Sequence, residues 1–418
     1  MHPGMIIFYV LQKFRNRIQK IHYISPINYN GCLPGSKSAP CSHMKTEIRE
    51  VVSRKQRRQF IHLPAKIHKG HSNWVPPLYM DDRAFFNPQK NKSFQYSDTI
   101  LLLAYRDNIA VGRIMGIINR RYNESHGEKH ARFCFLECWN DQEVSSALLN
   151  AVEQWAIGKG MVKLVGPLGF SDKDPQGLLI EGFDQPQVLA TTCNFPYLPE
   201  LVEANGFSKE VDLVVYHLDI PDEVPDLYRR VSGWILNREH LIVKEFKKRK
   251  DLKPAIRPVL RLMNQTFEEI YGYDQMTDKE MDDFAARYVP LLNPKLIKVI
   301  ENASGEVVAF VIGMPDLSIG IQKSRGYLLP IGIFQILRSG KKTKQLNLML
   351  GGIREDYRGK GLDAVMGGKM IESAHEEGLS HIDSHLELET NVKVRAEMER
   401  MGGVVYKRYR IYQKPILI

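Results

Sequence analysis

The stretch Leu348-Met-Leu-Gly-Gly-Ile-Arg-Glu-Asp-Tyr-Arg-Gly-Lys-Gly-Leu-Asp-Ala364 carries the residues best suited to grip an anion. It reads as a strand, a short polar loop, a tight turn at Gly359 and Gly361, and a helix from Leu362. The first amides of a helix have no acceptor inside it, and the positive end of its dipole lies there too. A pyrophosphate fits such a turn, with Arg358 and Lys360 adding charge. A plain strand–turn–helix connection has the same outline, and a lone Gly-x-Gly does not separate the two readings.

Acid–base chemistry has its own candidates downstream. Alternate residues of a strand share a face, so His385, Glu387 and Glu389 are expected to point one way while Leu386 and Leu388 point the other. Three titratable groups on one inward face are costly unless used or paired. Glu387 or His385 is the expected general base, directly or through water. The competing reading is a salt-bridged structural cluster that includes Arg395.

The elements that hold these residues belong to an internal repeat. Residues 99–118 and 296–313 each read as two β-branched runs about a polar turn, Asp107-Asn108 in the first and Ser304-Gly305 in the second. In each half an apolar strand and a helix follow: Arg132 to Trp139 and then Ala147 to Trp155, against Leu346 to Gly352 and then Leu362 to His375. Each half closes with a helix, a glycine (Gly206, Gly402) and a strand. The expected fold class is therefore α/β of the α+β kind. It comprises two tandem units, each a mostly antiparallel twisted sheet flanked by helices. The expected boundaries are a disordered N-terminal extension at 1–43, a first unit at 44–224, a helical linker at 225–253 and a second unit at 254–418.

Composition narrows the classes. The chain has 418 residues, 43% of them hydrophobic and 25% charged, which excludes global disorder and a disulfide-stapled miniprotein. No apolar run reaches the ~18–20 residues that cross a bilayer. The net charge of +10 favours anionic partners. The basic run Phe246-Lys-Lys-Arg-Lys250 has no aromatic platform or base-reading motif beside it, so no nucleic acid is expected. The five cysteines have no metal-site spacing, and no metal is expected. Cys134 and Cys138 read as small apolar groups of a buried strand, reduced in a cytoplasmic protein. Residues 323–344 form an insert with an apolar centre and basic ends. It suits a helix at a membrane surface or a lid over an apolar tail; a helix buried against the other half is the alternative.

The pattern Arg358-Gly-Lys-Gly361 after a strand resembles the acyl-CoA-binding signature of the GNAT acyltransferase superfamily. Asp363 stands where that family prefers Gly or Ala, and Leu386-Glu-Leu-Glu-Thr-Asn391 with Glu399-Arg-Met-Gly402 is similar to its later strand and helix. The resemblance covers most of residues 255–418. The whole chain further resembles tandem-GNAT bacterial proteins carrying Asn73-Trp-Val-Pro-Pro77, His126-Gly-Glu128 and Asp383-Ser-His-Leu-Glu-Leu-Glu-Thr390, whose activities are mostly unassigned. The resemblance implies acetyl-CoA or a longer acyl-CoA as co-substrate and direct attack by an amine. Leu350, Gly351, Gly352 and Ile353 would bond pantetheine and polarise the thioester. Arg358, Gly359, Lys360, Gly361, Leu362 and Asp363 would hold the phosphates, and Asn391 would lie alongside. The usual acid tyrosine is replaced by Met398, leaving Tyr406 and Tyr409 as substitutes. The first half lacks the glycine-rich turn at Asn140-Asp-Gln-Glu and resembles a degenerate copy. The expected function is N-acyl transfer to an amine. Two alternatives stand beside it: long-chain acyl transfer to a sphingoid-type amino-lipid, and a non-catalytic acyl-CoA sensor. The expected location is cytoplasmic, with peripheral contact at the inner membrane face through 323–344.

Overall fold

The computed structural model describes residues 45–416, and from Thr46 onward they form one compact unit. The extension expected at 1–43 lies outside the described residues. The first repeat runs β1 (Glu47–Glu50), α1 (Arg54–His62), α2 (Pro64–Ile67), α3 (Tyr79–Phe85), β2 (Ser97–Arg106), β3 (Ile109–Asn119), α4 (Arg120–His126), β4 (His130–Cys138), α5 (Gln142–Ile157), β5 (Lys163–Gly166), β6 (Leu178–Glu181), α6 (Tyr197–Glu203) and β7 (Ser208–Asp219). A helix α7 (Asp226–Arg238) follows. The second repeat runs β8 (Ile242–Glu245), α8 (Lys253–Thr266), α9 (Asp278–Tyr288), β9 (Ile297–Glu301), β10 (Val307–Pro315), α10 (Ser318–Ser324), α11 (Gly332–Gly340), β11 (Gln345–Ile353), α12 (Leu362–Glu376), β12 (His381–Asp383), β13 (Glu387–Leu388), α13 (Val392–Arg400) and β14 (Val404–Pro415).

Local chemistry accounts for these elements. Asp107 and Asn108 adopt φ of 48° and 61°, the left-handed pair that joins β2 to β3 without splaying them. Ser53 with Gln56 and Thr277 with Glu280 form capping boxes that start α1 and α9. Strand alternation divides the second repeat's core. Val299 and Phe310 face Val259, Leu260 and Met263 of α8, while Ile300 and Ala309 face Val365 and Met366 of α12.

The two repeats do not keep separate sheets. The strand order is β1-β2-β3-β4-β5-β14-β7-β12-β11-β10-β9-β8, one continuous sheet crossing the whole unit. The final strands are exchanged: β14 of the second repeat pairs with β5 of the first, and β7 of the first pairs with β12 of the second. The two exchanged strands pair with each other along most of their length, locked by the Arg410–Asp212 ion pair at 2.8 Å. Among the described residues only β4–β5 and β11–β12 pair in parallel. The segment expected as a helical linker holds α7 but also β8, which pairs with β9 and opens the second repeat's sheet.

Candidate active site

The parallel pair β11–β12 is registered at only three steps, from Gln345↔His381 to Asn347↔Asp383. Beyond Asn347 the strands part. The next segment, β13, pairs with β7 instead, and β11 keeps only β10 as a neighbour. A bulge at Met349, skipped between the Ile312↔Leu350 and Gly313↔Leu348 pairs, bends β11 at the point of divergence. Gly351 is exposed, and Leu350, Gly352 and Ile353 are half-buried, although the strand is central. One edge of main-chain donors and acceptors is thus open along a V-shaped cleft as far as Ile353, whose carbonyl accepts from Arg358 Nε at 3.2 Å.

At the mouth of that cleft stands the N-terminus of α12. Gly359 and Gly361 both adopt left-handed conformations, φ 73° and 86°, so the turn excludes ordinary side chains. No side chain caps the helix at Gly361. The amides that open it therefore await an acceptor. Arg358, Gly359, Lys360 and Asp363 are exposed around it, and Leu362 is buried beneath. The two glycines differ in surroundings. A methyl on Gly359 would meet open space, whereas one on Gly361 would lie 2.5 Å from Ile235 Cδ1 and 2.9 Å from Val231 Cγ1. Helix α7 therefore packs on the back of the turn, with Lys360 Nζ 3.1 Å from Glu239. Sequence reasoning missed this contact; the Val231/Ile235/Glu239 spacing of four was its only signal.

The first repeat's counterpart is closed. The N-cap of α5 is Asp141, whose carboxylate accepts from Val144 N at 3.2 Å and pairs with Arg106 at 2.5 Å. An internal anion already occupies the place a phosphate would take. Its cleft is closed as well: Leu168 N donates to Phe133 O at 2.9 Å, and the buried Arg132 guanidinium donates to the carbonyls of Gly169 and Phe170.

The expected alternation of His385, Glu387 and Glu389 fails. Residues 384–386 are not strand, and His385 takes φ 59°, which breaks the period-two pattern. The three side chains consequently part company. Glu389 Oε1 accepts from Asp212 N at 3.1 Å and lies 2.6 Å from Lys209 Nζ. Arg395 donates to the Glu389 carbonyl at 3.0 Å and to Tyr216 Oη at 3.0 Å, so it does not tie the three acidic or basic groups together. His385 Nε2 lies 3.3 Å from Leu189 O, and burial lowers its pKa, favouring the neutral ring. Glu387 sits opposite Val214, beside the parted strands, with no ionic or hydrogen-bonding partner among the described residues. Burial alone pushes its carboxyl up to about 8.

Tyr406 donates its hydroxyl to Asp383, and burial with that carboxylate raises its pKa far above the ordinary range. A phenol held in this way is a poor proton donor. Tyr409 is buried and raised in the same direction. Between them the buried Lys407 donates to Pro186 O at 2.5 Å, its pKa lowered by burial. Met398 packs in the apolar cluster with Val214, Tyr216 and Met370. Asn391 is the N-cap of α13, its side chain accepting from Val394 N. Cys134, Cys138 and Cys193 are free and buried, and among the described residues no cluster could hold a metal ion.

The insert between β10 and β11 forms the helices α10 and α11. Its inner face packs Leu317, Ile321 and Ile336 on Val75 and Met314, with Met349 of the cleft strand at the edge. Its outer face leaves Ile319, Tyr327, Leu329, Ile331 (62% exposed), Phe334 (63%) and Leu337 in solvent. Exposed Lys323, Arg325, Arg338, Lys341 and Lys342 surround them. Among the described residues no helix is long and apolar enough to cross a membrane.

No family model matches the chain. It is 27% identical over 374 residues to the bacterial ceramide synthase of Caulobacter vibrioides, covering 86% of this chain and 94% of that protein. It is 25% identical over 386 residues to protein YghO of Escherichia coli (strain K12), covering 88% and 95%. Among solved structures it is similar to the tandem GNAT protein from the clavulanic acid biosynthesis pathway. There the TM-score is 0.52 at 12% identity, over 90% of this chain and 99% of that one. A GCN5-related N-acetyltransferase from Sphaerobacter thermophilus gives a TM-score of 0.50 at 14% identity, over 89% and 96%.

Proposed function

We propose that this chain, a tandem GNAT-fold protein of the acyltransferase type, moves a long acyl group from coenzyme A to the amine of a sphingoid-type lipid at a membrane surface. The acyl-CoA part rests on the uncapped start of α12 set beside the open edge of β11. The diphosphate would lie on the amides from Gly359 to Asp363, with Arg358 and Lys360 beside it. Pantetheine would bond the open edge from Leu350 to the Ile353 N–H, the Ile353 carbonyl being held by Arg358, and a main-chain N–H there would polarise the thioester carbonyl.

The acceptor enters as an ammonium and meets the ionised form of Glu387, which gains population as pH rises through about 8. The ammonium gives one proton to Glu387, and the free amine attacks the thioester carbonyl. The C–N bond forms, the C–S bond breaks, and the nitrogen's second proton leaves with the sulfur. Glu387 then returns its proton to solvent. This sequence needs no tyrosine at position 398. Tyr406, whose proton is held by Asp383, and neutral His385 carry no step of it.

The lipid part rests on a relative named a bacterial ceramide synthase and on the apolar, basic-rimmed outer face of α10 and α11. That composition suits an anionic bilayer surface. Purified protein should release thiol from long-chain acyl-CoA when a long-chain amino alcohol is supplied in anionic vesicles, and mass spectrometry should find the amide. Acyl-CoA binding without turnover on any amine would favour a sensor instead.

A further inference from the structure

Helix α7 lies outside both repeats, yet it touches the anion-binding turn. Val231 and Ile235 back onto Gly361, and Glu239 reaches Lys360. Tyr228, one turn earlier, meets Gly367 and Gly368 of α12, so the two helices run antiparallel and α7 ends beside the turn. On the adjoining row of α7, at the i+3 and i+7 positions from Val231, stand Trp234 and Arg238. Trp234 is 60% exposed, and the Arg238 guanidinium lies 4.7 Å from its ring centroid. Arg238 Nε is also 3.6 Å from Glu239. An exposed tryptophan beneath a cation gains little from packing. Beside a diphosphate site, it matches the group that diphosphate carries in coenzyme A: an adenine with a 3′-phosphate on its ribose.

Resting on the acyl-CoA reading above, we infer that Trp234 and Arg238 form the nucleotide subsite for the donor, the indole stacking on adenine and the guanidinium meeting the 3′-phosphate. Neither residue belongs to the repeat, so the subsite is an addition of this chain around the turn.

The test compares the wild type with Trp234→Ala, Trp234→Phe and Arg238→Ala, using coenzyme A in calorimetry. The same acyl group is then offered in turnover on coenzyme A, on 3′-dephospho-coenzyme A and on pantetheine. Base–aromatic stacking predicts that Trp234→Ala weakens coenzyme A binding and raises its KM about tenfold at unchanged kcat. Trp234→Phe should restore most of the loss. Arg238→Ala should abolish the preference for the 3′-phosphate form. The pantetheine thioester should be used equally by all four proteins. Wild-type-like affinity in Trp234→Ala and Arg238→Ala overturns the subsite while leaving the donor intact. A wild type that ignores coenzyme A altogether overturns both readings. Loss of vesicle binding in Trp234→Ala, with unchanged donor KM, would assign the indole to the membrane and overturn the subsite.

Discussion

Replacing Glu387 with Gln separates a working carboxyl from a structural one. The fold raises this group from an ordinary 4.5 to about 8 by burial alone. An acid so raised binds more protons folded than unfolded between those values. Its contribution is therefore most favourable below about 4.5, is lost as pH rises toward 8, and stays lost above. At about 1.4 kcal/mol per unit the complete shift is worth about 5 kcal/mol. The residue keeps partial contact with solvent, so about half of that is the working figure. Urea unfolding should show the wild type losing about 2 kcal/mol more than Glu387→Gln between pH 5 and 9. Gln carries no charge to desolvate, so the variant should be the more stable protein above neutrality. Its activity should nonetheless fall about 10²–10⁴-fold, the usual contribution of a positioned base. Wild-type turnover should rise with pH through a midpoint near 8 and level off above about 9, and the variant should lack that limb. A variant with near-native turnover and the same pH limb would refute the role, whatever its stability.

Four further outcomes follow from the same geometry. Gly361→Ala should lower the unfolding midpoint by several degrees, because position 361 has φ 86° and the new methyl meets Ile235 Cδ1 at 2.5 Å; left-handed strain with overpacking costs about 1–3 kcal/mol. Lys360→Glu should leave that midpoint nearly unchanged and raise the KM for acyl-CoA about tenfold or more; equal effects of both on KM alone would contradict the packing seen at α7. Replacing Ile331 and Phe334 with Asp should abolish sedimentation with anionic vesicles while sparing turnover of a soluble short-chain amine. Expressed alone, residues 46–224 should be insoluble for want of β14, and co-expression with 225–418 should rescue them; a monomeric, folded first half would show that the strand exchange is dispensable.

Much of the second half was legible in the residues. Strand β11, the turn and helix α12 fall where β-branched runs, glycines and apolar spacing put them, because each is set by short-range sterics and hydrogen bonding. The hairpins β2–β3 and β9–β10 were legible for the same reason. The region after Asp383 was not. Alternation assumes an unbroken strand, and the left-handed His385 resets which way every later side chain points. Tyr406 was nominated by type, but only its neighbour Asp383 reveals that its proton is held.

The chain's order of residues settled what is local: the repeat, the glycine turn with its two cations, and the absence of such a turn in the first half. The folded whole settled what depends on partners far apart in the chain. It set the exchange of β7 and β14 between repeats, the parting of β11 from β12 and the seating of α7 on Gly361. Among the described residues it also left Glu387 without a counter-charge. Strand order and burial are properties of the collapsed chain, since neighbours in a sheet compete for the same edge and dielectric surroundings exist only once the core has closed around a group.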